Sequence, residues 1–276
     1  MRSERPPLTM LTFAPMIDSE CTRRVLGAHG ASYEERDRLF GWVSLLTLLH
    51  GGYGRVPLVY GKNAAMSGPA PTARFLDAIA APERRLLPRE QPPRQQVEAE
   101  FAIYNGELAS DVAAFAYYHL LPQREAMIER FGAAVTPLGR KILPSVYGIL
   151  RWLFSALLRL RPQRIDDVAL RIETLLDWSD VRLSDNRPYL VGNRPTLADL
   201  GFMSAMAPIV VPPTYERNVP AVADLPPPYR EMVMRTRNRP SGRFALDLYA
   251  KLGNEPAHRG SSPVQRAKRR SPSRKA

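Results

Sequence analysis

The sequence predicts an α/β domain followed by an all-α helical domain, and three observations lead to this fold class. Short apolar runs alternate with helical patterns over residues 8–82, the order expected of a compact α/β unit. The stretch 82–96 contains four prolines and many charges, which is typical of a linker, and we place that linker at 83–96. From 97 to 257 the patterns are all helical, and the basic, low-complexity tail at 258–276 is predicted to be disordered.

The elements of the first domain follow from residue type and from the turn residues at their ends. Residues 8–14 are apolar and rich in threonine, as in a buried strand, and Pro15 ends this run. Ser19 has the residue type of an N-cap and opens a helix that Gly30 ends. The remaining elements are a strand at 31–37, a helix at 40–49, a strand at 56–60, a weak strand within 61–71 and a helix at 72–79.

The second domain is predicted to be wholly helical. Its helices are expected at 97–121, 124–131, 143–160 and 165–178, from Thr196 onward, at 229–237 and at 241–252. The apolar run 142–160 is the candidate for a membrane span, but Pro144, Arg151 and Arg159 interrupt it. We therefore expect a helix buried in the bundle and no integral membrane segment.

Thr196 and Asp199 have the spacing of a capping box at the start of an apolar helix. The threonine hydroxyl and the aspartate carboxylate can each satisfy a backbone N–H group that the first helical turn leaves unpaired. The sequence around this pair, YLVGNRPTLADLGF at 189–202, closely resembles the signature of the glutathione S-transferase C-terminal domain.

The resemblance to the glutathione S-transferase superfamily extends over roughly residues 8–255. It implies a thioredoxin-like N-terminal domain that binds glutathione as co-substrate and an all-helical C-terminal domain. It also implies an enzyme that joins the glutathione thiolate to a hydrophobic electrophile, as in detoxification, and a cytoplasmic homodimer. The alternative is a non-catalytic binding or interaction protein with the same fold, because a fold does not determine chemistry.

The segment FAPMIDSECTRRV at 13–25 is similar to the strand-to-helix segment that carries the thiol-activating residue of the family, which implicates Ser19 as the catalytic residue. A hydroxyl at a helix N-terminus can donate a hydrogen bond to a thiolate, and the helix dipole favours the anion. The other interpretation is that Ser19 only caps its helix.

The segment GRVPL at 54–58 resembles the family stretch whose proline is cis, so the resemblance implies a cis Val56–Pro57 bond and contact of Val56 with the glutathione backbone. Arg55 can pair with a glutathione carboxylate or lie solvated at the surface. Where the family keeps an acidic-serine pair at the start of the third helix, this chain has Gly68-Pro69, with Ser67 as the nearest serine.

Charge and cysteine content bound the remaining possibilities. The net charge is +12, and seven cations of the tail account for more than half of it, which is compatible with weak association of the tail with nucleic acid. The single cysteine, Cys21, excludes an intramolecular disulfide and fits a reducing compartment; we expect it in the core rather than as a reactive thiol. The four histidines lack metal-ligand spacing, so no metal site is predicted.

Overall fold

The fold was analysed in a computed structural model that describes residues 8–13, 15–38, 42–62, 64–133, 137–216 and 218–252. The tail predicted at 258–276 lies outside the described residues. The strands are β1 (Leu8–Thr12), β2 (Tyr33–Asp37), β3 (Leu58–Gly61) and β4 (Ala64–Ser67). The helices are α1 (Ile17–Ala28), α2 (Trp42–Leu49), α3 (Pro69–Ile79), α4 (Pro93–Phe101), α5 (Ala109–Leu120), α6 (Arg124–Ala133), α7 (Pro137–Leu157), α8 (Pro162–Arg182), α9 (Leu197–Val210), α10 (Pro227–Asn238) and α11 (Pro240–Leu252).

The four strands form one mixed sheet in the order β2-β1-β3-β4. β1 is parallel to β2 and antiparallel to β3, and β3 is antiparallel to β4. The pairing of Leu11 with Leu58 places the end of β1 beside the start of β3. The βαβ-ββα order with α1 and α3 is the thioredoxin-like arrangement, and the helices that follow complete the predicted fold class.

Helix α9 is the centre of the second half of the chain. All of its residues from Leu197 to Val210 are buried, and it packs against α1, α4, α5, α10 and α11. Gly201 allows this packing, because a Cβ atom there would lie 2.8 Å from the Phe101 ring. The same helix therefore joins the sheet domain, through α1, to the helical bundle.

The capping box at the start of α9 is present as predicted. The Asp199 carboxylate accepts hydrogen bonds from the Thr196 N–H at 2.8 Å and from the Thr196 hydroxyl at 2.7 Å. Its other oxygen accepts the Leu190 N–H at 2.7 Å. Asp199 thus fixes the loop before the helix as well as the first turn.

The predictions for two helices, at 97–121 and at 143–160, were wrong in their limits or surroundings. The first helix of the bundle begins at Pro93 within the predicted linker, since proline at a first helical position needs no N–H partner. It continues to Leu120 through a π-helical segment, Ala102–Leu108, that links α4 to α5. The helix predicted at 143–160 spans Pro137–Leu157 and buries only one of its faces, although we expected it to be buried in the bundle.

Within the described residues, no single helix is long and apolar enough to cross a membrane. The consecutive helices α7 and α8, which are bent by 59° at their junction, reach the required length and composition only when taken together.

Candidate functional site

Three of the predicted ligand-binding residues lie together at one edge of the sheet. The Val56–Pro57 peptide bond is cis, as predicted. The Pro57 carbonyl accepts the Gly68 N–H at 2.8 Å, so the residue after β4 is held against the residue before β3. Ser67, whose hydroxyl donates to the Gly52 carbonyl at 3.2 Å, pairs with Leu58 in the sheet. Val56, Pro57 and Ser67 therefore lie close together.

Arg55 lies next to this edge with its side chain exposed. Its backbone N–H donates to the Gly52 carbonyl at 2.9 Å, which closes the turn that leads into Val56. Arg55 is therefore placed at the rim of the site by its backbone, while its guanidinium group extends into solvent.

The structure places Ser19 in the third position of α1 rather than at its N-cap, so the N-cap prediction was wrong. The N-cap is Met16, and its N–H donates to the Phe13 carbonyl at 3.1 Å. The Ser19 side chain is fully buried, with 0% exposure; it donates to the Phe13 carbonyl at 3.1 Å and accepts from the Thr12 hydroxyl. These bonds tie α1 to the end of β1 and turn the hydroxyl toward the sheet.

The start of α3 confirms the departure from the family pattern. Gly68 is the N-cap with a φ of 87°, a conformation that favours glycine, and Pro69 follows at the first helical position. Besides the Ser67 hydroxyl, this turn has the hydroxyl of Thr72, which donates to the Gly68 carbonyl at 2.7 Å. Neither Gly68 nor Pro69 supplies the side-chain hydroxyl that the family places here.

A cavity of about 240 Å³ lies between the start of α1 and the helical bundle. Its walls come from the β1–α1 connection, the π-helical segment, α5, α7 and the loop after α9. The lining residues are Pro15, Met16, Ile17, Asp18, Asn105, Gly106, Ala109, Ser110, Ala113, Ala116, Tyr117, Leu120, Met127, Phe154, Leu157, Leu158, Pro208, Tyr215, Asn218 and Val219. Most of them are apolar, so the cavity suits a hydrophobic molecule.

Asp18 and Asn105 meet at one wall of this cavity. The Asn105 amide nitrogen donates to the Asp18 carboxylate at 3.0 Å, across 87 residues of sequence. Burial raises the pKa of Asp18, and the hydrogen bond from Asn105 offsets part of that rise. Asn105 lies in the π-helical segment, a type of distortion that is frequent at functional sites.

Three buried polar atoms of lining residues have no hydrogen-bond partner among the described residues: the Tyr117 hydroxyl, the Asn218 amide nitrogen and the Asn105 carbonyl oxygen. The Tyr117 ring stacks on Phe154 at 5.0 Å between centroids, and burial raises the pKa of its hydroxyl. The cavity therefore has an aromatic wall, from Tyr117 and Phe154, together with the polar pair of Asp18 and Asn105.

Sequence reasoning did not single out Asp18 or Asn105, because only the fold brings them together. Tyr117 lines the cavity, whereas Trp152 lies at the surface. Cys21 is buried in the core, as predicted, and burial raises the pKa of its thiol well above the ordinary value. In the described part of the chain no group of three or more potential ligands could hold a metal ion.

Several solved structures have a fold similar to that of this chain. No protein-family model matches the chain, and no curated protein sequence matches it. A glutathione S-transferase from Sinorhizobium meliloti 1021 is 17% identical, with a TM-score of 0.53 over 90% of this chain and 99% of the other. Glutathione S-transferase-I bound with lactoylglutathione is 15% identical, with a TM-score of 0.52 over 88% of this chain and 100% of the other.

The beta-etherase LigF from Sphingobium sp. strain SYK-6 is 13% identical, with a TM-score of 0.54 over 88% of this chain and 99% of the other. Similarity at these levels of identity establishes the fold. The chain has the glutathione S-transferase fold, a thioredoxin-like domain followed by a helical domain.

Proposed function

We propose that this chain is a glutathione S-transferase-like enzyme that joins the thiolate of glutathione to a hydrophobic electrophile. The observation that carries the proposal is an apolar cavity lined by the start of α1, the helix that follows β1, while β1 pairs with β3 just after Val56 and Pro57. The fold is shared with a transferase structure that contains lactoylglutathione, a glutathione thioester. That structure supports glutathione as the thiol.

The sheet register explains why the two binding regions adjoin. Leu11 pairs with Leu58 in antiparallel strands, so the connection from β1 to α1 and the residues Val56 and Pro57 lie at the same end of the sheet. Pro15 to Asp18, which follow Phe13, form one wall of the cavity. A peptide thiol bound along Val56 would thus lie next to the start of α1, within reach of an electrophile in the cavity.

The start of α1 suits a thiolate in one respect and opposes it in another. The positive end of the helix dipole favours an anion near Ile17. An ionised Asp18 would repel that anion, but burial raises the Asp18 pKa and so reduces its ionised fraction. We propose that Asn105 holds the Asp18 side chain and so sets the charge beside the reacting sulfur.

The role predicted for Ser19 requires a rearrangement. Its hydroxyl would have to leave the Phe13 carbonyl and turn out of the sheet interface before it could donate to a thiolate. Turnover of Ser19→Ala tests this role. A hydrogen bond to a charged group contributes about 1.5–3 kcal/mol, so loss of the bond would lower turnover about tenfold to a hundredfold. If Ser19 only ties α1 to β1, stability falls and turnover persists.

A second candidate is a non-catalytic binding protein with the same fold. The observation that favours it is the pair Gly68-Pro69, which lacks the hydroxyl used for glutathione in the family, together with the inward-facing Ser19. This candidate predicts binding of apolar molecules in the cavity without conjugation. A homodimer in the cytoplasm is a further part of the proposal and rests on the family resemblance.

Two measurements separate the candidates. Retention on immobilised glutathione, with elution by free glutathione, tests binding of the thiol. Conjugation of glutathione to chlorodinitrobenzene, followed by absorbance, tests turnover. The enzyme proposal expects both, whereas the binding-protein candidate expects no conjugation above the uncatalysed rate. The absence of both would contradict the enzyme proposal.

A further inference from the structure

Helix α7 carries apolar residues on two opposite faces. One face packs into the bundle and consists of Leu143, Tyr147, Leu150 and Phe154, all of which are buried. The opposite face is exposed, and we call it the outer stripe; it consists of Leu138, Ile142, Ile149 and Trp152. At about 100° per residue these four positions fall on one line along the helix. A helix of a globular domain needs only the first of these faces.

The outer stripe is long and open to solvent. Ile149 is 67% exposed and Trp152 is 69% exposed. Ala156, which is also exposed, extends the line, so the stripe and its extension span about 27 Å at about 1.5 Å per residue. Single exposed apolar side chains are ordinary, but an aligned series of this length marks a contact surface.

The charge around the stripe has one sign. Residues 137–164 contain no acidic residue and six cations, Arg140, Lys141, Arg151, Arg159, Arg161 and Arg164, all of which are exposed. None of the six forms an ion pair within the described part of the chain. Three of these arginines line a hollow with Ala156 at the α7–α8 turn. The apolar line therefore ends in a cluster of cations that form no ion pair with the described residues.

We propose that the outer stripe and the arginines of this hollow dock onto the surface of an anionic lipid membrane. Tryptophan and aliphatic side chains enter the boundary between headgroups and acyl chains, while arginines bind lipid phosphates. Helix α7 would lie flat on the membrane, since it keeps its other face in the bundle. This inference does not depend on the proposed enzymatic function.

Charge complementarity favours a membrane over two other occupants. A second copy of the chain seated face to face would set the same cations against each other, and α7 supplies no acidic residue to pair with them. A nucleic acid would pair with the arginines but would leave the isoleucines and Trp152 in water. An anionic membrane surface satisfies both the charge and the apolar line.

Flotation of the full chain with lipid vesicles tests the proposal. We expect the protein to float with vesicles of phosphatidylcholine containing phosphatidylglycerol and to stay behind with vesicles of phosphatidylcholine alone. The double variant Ile149→Ser/Trp152→Ser should bind the anionic vesicles at least about tenfold more weakly. The triple variant Arg159→Gln/Arg161→Gln/Arg164→Gln should lose about fivefold for each charge removed.

Matched controls separate this surface from bulk properties and from the basic tail. Ile79→Ser/Val181→Ser removes two exposed apolar side chains elsewhere, and Arg89→Gln/Arg230→Gln/Arg243→Gln removes three exposed arginines elsewhere. Both controls should keep wild-type flotation, and circular dichroism spectra should be unchanged in all variants.

Several results would overturn the proposal. One is failure of the wild-type chain to bind anionic vesicles, and another is equal loss of binding in the matched controls. A change from dimer to monomer caused by Ile149→Ser/Trp152→Ser in size-exclusion chromatography would assign the stripe to a second copy. Duplex DNA could instead displace the chain from vesicles and bind in a way that depends on the arginines but not on the outer stripe. That result would assign the surface to nucleic acid.

Discussion

Replacement of Asp199 by alanine should destabilise the whole domain. The carboxylate is fully buried and accepts three hydrogen bonds, two of them from the backbone N–H groups of Leu190 and Thr196. Alanine would leave those two N–H groups buried without an acceptor, and each such group costs about 1–3 kcal/mol. Burial also raises the pKa of Asp199, which shows that desolvation offsets part of the gain.

The expected loss of unfolding free energy is therefore about 3 kcal/mol, in the lower half of the range of about 2–6 kcal/mol for two unsatisfied groups. For a domain of this size it corresponds to a lowering of the melting temperature by roughly 6–12 °C. Urea unfolding followed by circular dichroism measures the free energy, and a thermal scan measures the midpoint. Asp199→Asn, which can still accept the Leu190 N–H, should fall between wild type and alanine.

Asp185→Ala is the matched control, because Asp185 is exposed and its side-chain partner is the nearby Arg187. This variant should melt like wild type. If Asp199→Ala lost less than about 1 kcal/mol of unfolding free energy, the loss would be no larger than that for an ordinary exposed helix cap. That result would refute the reasoning. Loss of turnover at unchanged stability would instead show that Asp199 takes part in the chemistry.

Two further predictions concern buried groups of α1. Burial alone would raise the pKa of Glu20, but Arg24 and Arg23 outweigh it and bring the pKa below its usual 4.5. The stability that Glu20 contributes is thus present above pH 4.5 and is lost as the pH falls through the lower pKa of the folded state. Between about pH 6 and about pH 3, the melting temperature of Glu20→Gln should therefore decline less than that of the wild type. Cys21 is fully buried and its pKa is raised, so Ellman's reagent should react with it only after unfolding, and rapid reaction of the native protein would contradict this.

Local chemistry explains which parts of the fold were predictable. The capping box depends on residues three apart, so sequence alone defines it, and the apolar run after Thr196 identifies α9. The cis Val56–Pro57 bond was expected from the family resemblance rather than from the residues. Alternation of short strands and helices was sufficient for a compact α/β domain, since each element carries its own turn residues, whereas the thioredoxin-like arrangement was expected from the family resemblance.

Contacts between distant segments explain what was missed. Ser19 has the residue type of an N-cap, but the Phe13 carbonyl binds the N–H of Met16, so α1 begins before Ser19. Asp18 and Asn105 become neighbours only when α1 packs on the π-helical segment. The apolar composition of α7 led us to predict that the helix is buried. Because α7 is apolar on two faces, its composition does not reveal which face the bundle covers.

The affinity of S-hexylglutathione relative to glutathione, measured by isothermal titration calorimetry, tests the central claim most directly. If glutathione binds at the sheet edge beside the apolar cavity, the hexyl group should enter the cavity and tighten binding by about tenfold or more. Gly106→Leu should abolish this gain, since Gly106 lines the cavity and a Cβ atom there meets no atom within 4 Å. Gly148→Leu, at an equally open helical position that does not line the cavity, should preserve it. Equal affinity for the two compounds, or a gain that survives in Gly106→Leu, would contradict the account.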